Sequence, residues 1–237
     1  MGALPGGGVL SVGAAGLAAW FDVDAFRSAG RRVVLRSVTR PVLVLGSTQD
    51  AAVADPSRLG AAGVTLVRRR SGGGAVLLLP DAQCWVDVWV PRDDPLWSPE
   101  PRRSAERVGE WWAASLPAGV GPGPVHVHRG PMMAGPAGHL VCFAGVGAGE
   151  VLVGGRKLVG LAQWRSREGA LVHGCAYRSW DPDAVAALLA GGDDGVRLAR
   201  DLAGRAVGLE EVGAWGWTVD ALLAALPDPA SWEVVRS

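Results

Sequence analysis

The chain has 237 residues, which fits one large domain or two small ones and is long enough to bury a sizeable core. Lys and Arg (23) balance Asp and Glu (23), so no broad electrostatic footprint for nucleic acid or an anionic membrane is expected. The three cysteines, Cys84, Cys142 and Cys175, contain no CxxC pair, which argues against a disulfide framework or a structural zinc site and favours a reducing cytoplasm.

The stretch from Met1 to Trp20 is apolar, but it has no basic leader region and is diluted by glycine, so it reads poorly as a signal peptide. No other segment approaches the roughly 20 apolar residues of a membrane span. Glycine (35) and proline (16) follow no fixed period, and strong apolar runs lie between them, so the chain reads as globular. The 11 tryptophans, against one tyrosine, are spread along the sequence and read as packing.

In chain order, residues 14–30 look helical, with Leu17, Trp20 and Phe21 on a partial apolar face before Gly30. Val33-Val34-Leu35 and Val42-Leu43-Val44-Leu45 are short β-branched runs, the second entering a turn at Gly46-Ser47-Thr48-Gln49. Val64–Val67 reads as a strand entering Arg68-Arg69-Arg70-Ser71-Gly72-Gly73-Gly74, and Ala75–Leu79 as a buried strand leaving it. Backbone N–H groups in such a glycine loop approach an oxyanion closely, and guanidinium groups add bidentate hydrogen bonds. A glycine hairpin with solvated arginines accounts for the same residues. No Lys-Ser or Lys-Thr follows the glycines, which excludes the nucleotide-binding P-loop.

Cys84–Val90 alternates with period two, placing Cys84, Val86, Val88 and Val90 on one face and Trp85, Asp87 and Trp89 on the other, which reads as a strand with both faces partly covered. Ser98-Pro99 offers a cap for a helix carrying Val108, Trp111, Trp112 and Leu116 before Pro117. Gly119–Pro124 reads as a loop, Val125–His128 as a short strand, and Pro131–Gly138 as irregular. Val151-Leu152-Val153, Gly154-Gly155 and Lys157-Leu158-Val159 form a β-hairpin with a two-residue glycine turn. Asp181-Pro182 caps a helix running towards Gly191, and Thr218 a last one through Leu226. Mixed order, with a strand-rich middle and helices at the ends, gives an α+β domain.

Lys157 stands in an otherwise apolar strand. It either snorkels to solvent at the strand end or points inward to neutralise an anion. Gly160 and Ala162 share a face that leaves room for a ligand, and strict alternation puts Lys157 on the other face unless a bulge intervenes. His126, His128 and His139 have no carboxylate or cysteine to complete a set, so no metal site is expected.

The two constellations together resemble the lipoate-protein ligase A family of the biotin/lipoate ligase superfamily. Its Arg-Arg-x-Ser/Thr-Gly-Gly loop is matched by Arg68, Arg69, Ser71, Gly72 and Gly73, and its Gly-x-Lys-x-x-Gly-x-Ala-Gln hairpin by Gly155, Lys157, Gly160, Ala162 and Gln163. With Gly46–Gln49 and Ala170–Gly174, the resemblance spans about residues 31–190 of a single catalytic domain. It implies a mixed, largely antiparallel sheet flanked by helices, shared with class II synthetases. It also implies activation of lipoate or octanoate by ATP and Mg2+ as acyl-adenylate, and transfer to a lysine of a lipoyl carrier domain. That carrier would be a 2-oxoacid dehydrogenase acyltransferase subunit or the glycine cleavage H protein. Lys157 would bridge the acyl carbonyl and the α-phosphate. Arg69, Arg70 and Ser71, with the backbone from Gly72 through Gly74, Ala75, Val76 and Leu77, would hold the nucleotide, and His173 would line the acyl site.

The chain departs from that family in places. Leu77-Leu78-Leu79-Pro80-Asp81 stands where an aromatic residue and His-Asp usually continue the loop, Gly149-Glu150 replaces an Asn-Asp pair, and Gly160-Leu161-Ala162 replaces Gly-Ser-Ala. About fifty residues follow the matched region, so no large C-terminal accessory domain is expected. Cysteine-dependent octanoyltransferases of the superfamily suggest an ATP-independent alternative with Cys142 as thioester nucleophile. A non-catalytic relative binding the acyl group or its carrier is the third reading. Choice among lipoate, octanoate and biotin depends on pocket shape.

Overall fold

The computed structural model describes Phe26 and residues 30–190, 194–217 and 219–236. The helix expected over residues 14–30 falls almost wholly outside these, as does Thr218, the expected cap of the last helix. The described elements are β1 (Arg32–Arg36), β2 (Val42–Leu45), α1 (Pro56–Ala61), β3 (Thr65–Arg68), β4 (Val76–Leu78), β5 (Gln83–Pro91), α2 (Pro101–Ser115), β6 (Val125–Val127), β7 (Val151–Val153), β8 (Arg156–Arg165), β9 (Gly169–Tyr177), α3 (Pro182–Ala186), α4 (Asp194–Ala203), α5 (Val219–Ala225) and β10 (Glu233–Arg236). No helix among the described residues is long and apolar enough to cross a membrane.

The larger sheet has the order β10-β1-β5-β9-β8-β7-β6. Its neighbours are antiparallel except β1 and β10, which run parallel. A second sheet has the order β3-β2-β4, with β3 parallel and β4 antiparallel to β2. The fold is therefore α+β with a mixed, largely antiparallel sheet flanked by helices, as read from the sequence.

Strand alternation sorts the side chains into layers. One face of the larger sheet, with Val86, Val88, Val90 and Val172, buries against Val108 and Trp112 of α2 and Leu222 of α5. The opposite face, with Trp85, Cys175 and Tyr177, packs on Val42, Val44, Val76 and Leu78 of the small sheet. The small sheet's outer face, with Leu43, Leu45, Ala75 and Leu77, is covered by Leu59 of α1, Val185 of α3 and Leu202 of α4. Helix, sheet, sheet and helix thus stack in four layers, and the interior between the sheets is where both motifs of the sequence converge.

Helix α2 begins at Pro101 with Glu100 as its cap residue, two residues later than Ser98-Pro99 suggested. The Ser98 hydroxyl instead accepts the Glu100 N–H at 3.2 Å, closing a turn ahead of the helix. Leu116 ends the helix ahead of Pro117, where the missing donor and the restricted preceding residue stop a helix.

Candidate active site

The glycine loop is not a hairpin. Strands β3 and β4 lie on either side of β2, so residues 69–75 cross over the end of that strand. The crossing brings Gly73 against the turn after β2, where a side chain at Gly46 would meet the Gly73 carbonyl oxygen at 1.9 Å. Gly73 takes φ 98°, a conformation that favours glycine. A side chain at Gly74 would lie 2.5 Å from the Val141 carbonyl carbon, so the loop is also pressed against the 141–142 segment.

The arginines divide their labour differently from the expectation. Arg69 is buried, its Nε donating to Ser71 Oγ at 3.1 Å, its Nη1 to the Val44 carbonyl at 3.3 Å, and its Nη2 to the Gly72 and Gly74 carbonyls at 2.7 and 2.9 Å. Burial pushes its pKa down, and the neighbouring Cys142 opposes that shift. Arg69 is therefore the internal brace of the loop, because four of its hydrogen bonds go to the loop's own polar groups and β2. Arg68 likewise donates to the Gly46, Ser47 and Gln49 carbonyls. Arg70 is exposed and has no hydrogen bond or ion pair among the described residues.

The backbone past the glycines is also committed inward. The Ala75 N–H donates to the Leu140 carbonyl at 2.8 Å, and the Ala75 carbonyl accepts the Cys142 N–H at 3.0 Å. Val76 and Leu77 pair with β2, and the Leu77 carbonyl accepts the Tyr177 hydroxyl at 2.9 Å. Of the loop residues expected to contact a ligand through their backbone, Gly72 to Gly74 keep their N–H groups available while Arg69 holds the Gly72 and Gly74 carbonyls, and Ala75, Val76 and Leu77 are engaged in holding the sheets together.

Lys157 is buried rather than snorkelling, with 1 % of its surface exposed. The reason is a bulge. Val151 pairs with Val159, but Leu152 pairs with Lys157, leaving Leu158 as an extra residue in β8. The bulge inverts the alternation, so Leu158 and Val159 both enter the α2-side core and Lys157 turns to the face shared by Gly160 and Ala162. The tight turn before it is built as expected, with Gly154 and Gly155 at φ 57° and 80°. On its other edge Lys157 is fixed by the 205–207 segment, its N–H donating to Arg205 and its carbonyl accepting from Val207.

The Lys157 ammonium donates to the Cys142 carbonyl and pairs with Glu150 Oε2, both at 2.7 Å, and lies 5.3 Å from the Phe143 ring centre. Glu150 is buried too, and its carboxylate accepts the Gly147 and Leu161 N–H groups at 2.7 and 3.0 Å. The residue that stands in place of the family's Asn-Asp pair is thus the counter-ion of the lysine. Sequence reading missed this partner; its only signal was a lone carboxylate just ahead of a lysine-bearing hairpin.

Between the sheets runs a narrow, largely filled cleft, bounded by Arg69, Val76, Cys142 and Phe143 on one side and Trp85, Gly160, Leu161, Ala162, His173 and Cys175 on the other. A side chain at Gly160 would meet Phe143 at 3.0 Å, so the ring rests directly on that glycine. Cys142 is half-buried, and its Sγ lies near Gly73, 3.9 Å from where that residue's Cβ would be. Burial pushes the Cys175 thiol well above its ordinary range. His173 is buried and its Nδ1 lies 2.6 Å from Asp87 Oδ1. That carboxylate also accepts Trp85 Nε1 and Arg36 Nε, each at 2.7 Å. Burial acts to raise the Asp87 pKa, but His173 and Arg36 outweigh it and hold the group at about 2.

Two expected site residues lie elsewhere. Gly155 sits in the exposed hairpin turn, away from the cleft. Gln163 pairs with Val172 and shares the α2-side face of the sheet, because two residues beyond Leu161 the alternation turns it from Ala162's face. His128 is the other buried imidazole, its Nε2 2.9 Å from the Pro131 carbonyl.

A family model for the lipoyl protein ligase A/B catalytic domain matches residues 23–226. Solved structures share the fold. A bipartite lipoate protein ligase from the archaeon Thermoplasma acidophilum superposes with a TM-score of 0.63 at 18% identity, over 92% of this chain and 79% of that one. A second T. acidophilum structure in this group, with bound lipoic acid, gives 0.60 at 19% identity over 90% and 80%. Lipoate-protein ligase A bound with ATP gives 0.55 at 18% identity over 89% and 77%. No curated protein matches the chain in sequence.

Proposed function

Since the chain belongs to the lipoyl protein ligase A/B catalytic family, we propose that it activates lipoate or octanoate with ATP as an acyl-adenylate and passes the acyl group to a lysine of a lipoyl carrier domain. The observation that carries this reading is that Arg69 of the glycine loop lines a cleft whose Cys142 and Phe143 also hold the Lys157 ammonium, although Arg69 and Lys157 are far apart in sequence. Relatives of the same fold that hold lipoic acid and ATP, and one studied with its lipoyl domain, agree with it.

In the first step a carboxylate oxygen attacks the α-phosphorus and pyrophosphate leaves. Charge grows on the phosphoryl oxygens, and a fixed, water-excluded cation stabilises it without reorganising. Lys157 suits that task. Two of its three N–H donors are taken by Cys142 and Glu150, which fix the ammonium in place and leave a third for the ligand. Exposed Arg70 and the Gly72–Gly74 backbone supply donors for phosphate oxygens at the loop. Magnesium, which supports charge neutralisation on phosphates, would be carried chiefly by the nucleotide, since the described residues hold no cluster of three His, Cys, Asp or Glu side chains. The acyl chain would lie on Gly160 and Ala162, where burial contributes about 0.8 kcal/mol per methylene. In the second step the carrier amine attacks the acyl carbonyl, AMP leaves and the amine loses a proton.

Incubation with octanoate or lipoate, ATP and magnesium, with and without an apo lipoyl domain, tests this by mass. Adenylate formation and acylated carrier are expected, and both are lost in Lys157→Ala. Cys142 sustains a second reading, because its thiol lines the same cleft beside the glycine loop. Transfer from octanoyl-carrier without ATP, lost in Cys142→Ser, would replace the ligase with a thioester-forming transferase. Neither product would leave a non-catalytic binder.

A further inference from the structure

Phe143 stands where the proposed acyl chain has to go. Its ring centre lies 5.3 Å from the Lys157 ammonium, and the ring rests on Gly160, where an added side chain would come within 3.0 and 3.1 Å of two ring carbons. The bulge in β8 turns Lys157 onto the face of Gly160 and Ala162, so cation and glycine floor lie on one side of the sheet and the ring borders both. An acid whose carboxyl group takes the third donor of Lys157, and whose chain lies on Gly160, therefore claims the volume of that ring. The cleft is largely filled, so chain and ring cannot share it.

The ring is almost fully enclosed, with its centre 4.8 Å from that of Tyr177 and 5.4 Å from that of Trp180. Phenylalanine makes no hydrogen bond, so its hold on the site is apolar, the same kind of contact that a methylene chain makes. The backbone around it is clamped. The Cys142 N–H donates to the Ala75 carbonyl at 3.0 Å, and Met133 and Val146 exchange two hydrogen bonds of 2.8 Å. Rotation of the side chain is the motion this leaves, and it keeps the Cys142 carbonyl on Lys157.

We propose that Phe143 is a displaceable plug of the acyl site: in the free protein its ring fills the place of the chain, and an acid binds by taking over the ring's contacts with Gly160 and the neighbouring cleft wall. Phe143 is thereby the residue that sets affinity for the acid, because the apparent affinity is lowered by the fraction of molecules whose ring is in place. The inference rests on the proposed acyl-binding reading and deepens it.

The test titrates the full chain with octanoate by calorimetry, in the presence of a non-hydrolysable ATP analogue, and compares wild type with Phe143→Ala and the milder Phe143→Leu. Octanol, of equal length but without the carboxylate, probes whether a bare cavity is all that the substitution makes. Phe143→Ala is expected to bind octanoate about tenfold or more tightly than wild type does, Phe143→Leu by a smaller factor, and octanol at least about tenfold more weakly than octanoate. Melting curves check that the variants are folded, and Phe143→Leu carries the comparison alone where Phe143→Ala is unfolded. Octanoate affinity unchanged or weakened in the folded variants, or matched by octanol, overturns the plug and leaves the acyl-binding reading intact. Binding of octanoate by none of the three proteins overturns both.

Discussion

The Glu150–Lys157 pair gives a double-substitution test of how the buried cation is maintained. Both side chains are almost fully enclosed, and the carboxylate takes three donors: Lys157, Gly147 N–H and Leu161 N–H. Glu150→Ala removes all three acceptor contacts while leaving an ammonium in the interior. Breaking a buried pair from one side costs about 3–5 kcal/mol, and two orphaned N–H groups would push the loss towards the upper end unless water enters the vacated space. That is a large part of the roughly 5–15 kcal/mol that holds a domain together. Adding Lys157→Met removes the stranded charge and keeps the chain volume, so the double variant should recover at least about 2 kcal/mol relative to Glu150→Ala. Urea unfolding followed by tryptophan fluorescence measures both, with an unchanged slope as the check that the native state is intact. Strict additivity, with coupling below about 0.5 kcal/mol, would refute the claim that Glu150 exists to neutralise Lys157.

Other consequences follow from the loop, the carboxylate network and the thiols. Arg69→Met should destabilise the fold by about 3 kcal/mol or more, since several buried polar groups lose a charged donor. Arg70→Ala should leave the urea midpoint nearly unchanged, within about 0.5 kcal/mol, and raise the KM for ATP several-fold. Asp87, held at about 2 against an ordinary 3.8, contributes stability that is fully present above pH 4. As pH falls from 4 to 2 about 2 kcal/mol should be lost, and Asp87→Asn should flatten that stretch of the acid-unfolding curve. Alkylation of the native protein near pH 8, followed by peptide mapping, should modify Cys142 before Cys175, because Cys175 is buried and its thiol is pushed up well above its ordinary range.

Local patterns were legible and long-range ones were not. The alternation in Cys84–Val90 names both faces of β5 correctly, and the Gly154-Gly155 pair gives the hairpin and its turn. Residues 69–75 read equally well as a hairpin, because nothing local says that a third strand, β2, lies between β3 and β4. Helix α4 and strand β10 went unseen: the first begins at Asp194, within a turn-like Asp-Asp-Gly run of the sequence, and the second is a four-residue segment made a strand by its pairing with β1. In the site, the sequence motif finds Lys157 and the loop, yet places Gln163 and Gly155 with them because spacing in a motif does not say which face of a strand a residue takes. The bulge at Leu158 decides that for Lys157. Asp87 and Glu150 are absent from the motif altogether, and their importance comes from partners 86 and 11 residues away.

The parallel pairing of β1 with β10 joins Arg32 to Glu233 and Leu35 to Arg236. During synthesis at about 5–20 residues per second, the strand that covers β1 emerges tens of seconds after β1 itself. For that interval β1 presents a bare edge of unpaired backbone groups, a template for association with other chains. Arg32 and Arg36, both on that strand, place charge on the exposed edge during the wait, and Arg32 then pairs with Glu233 when the late strand docks. The sheet that floors the cleft is thus sealed by a segment made long after the strand it covers, so ribosome-bound chains should remain dependent on chaperones until that segment emerges.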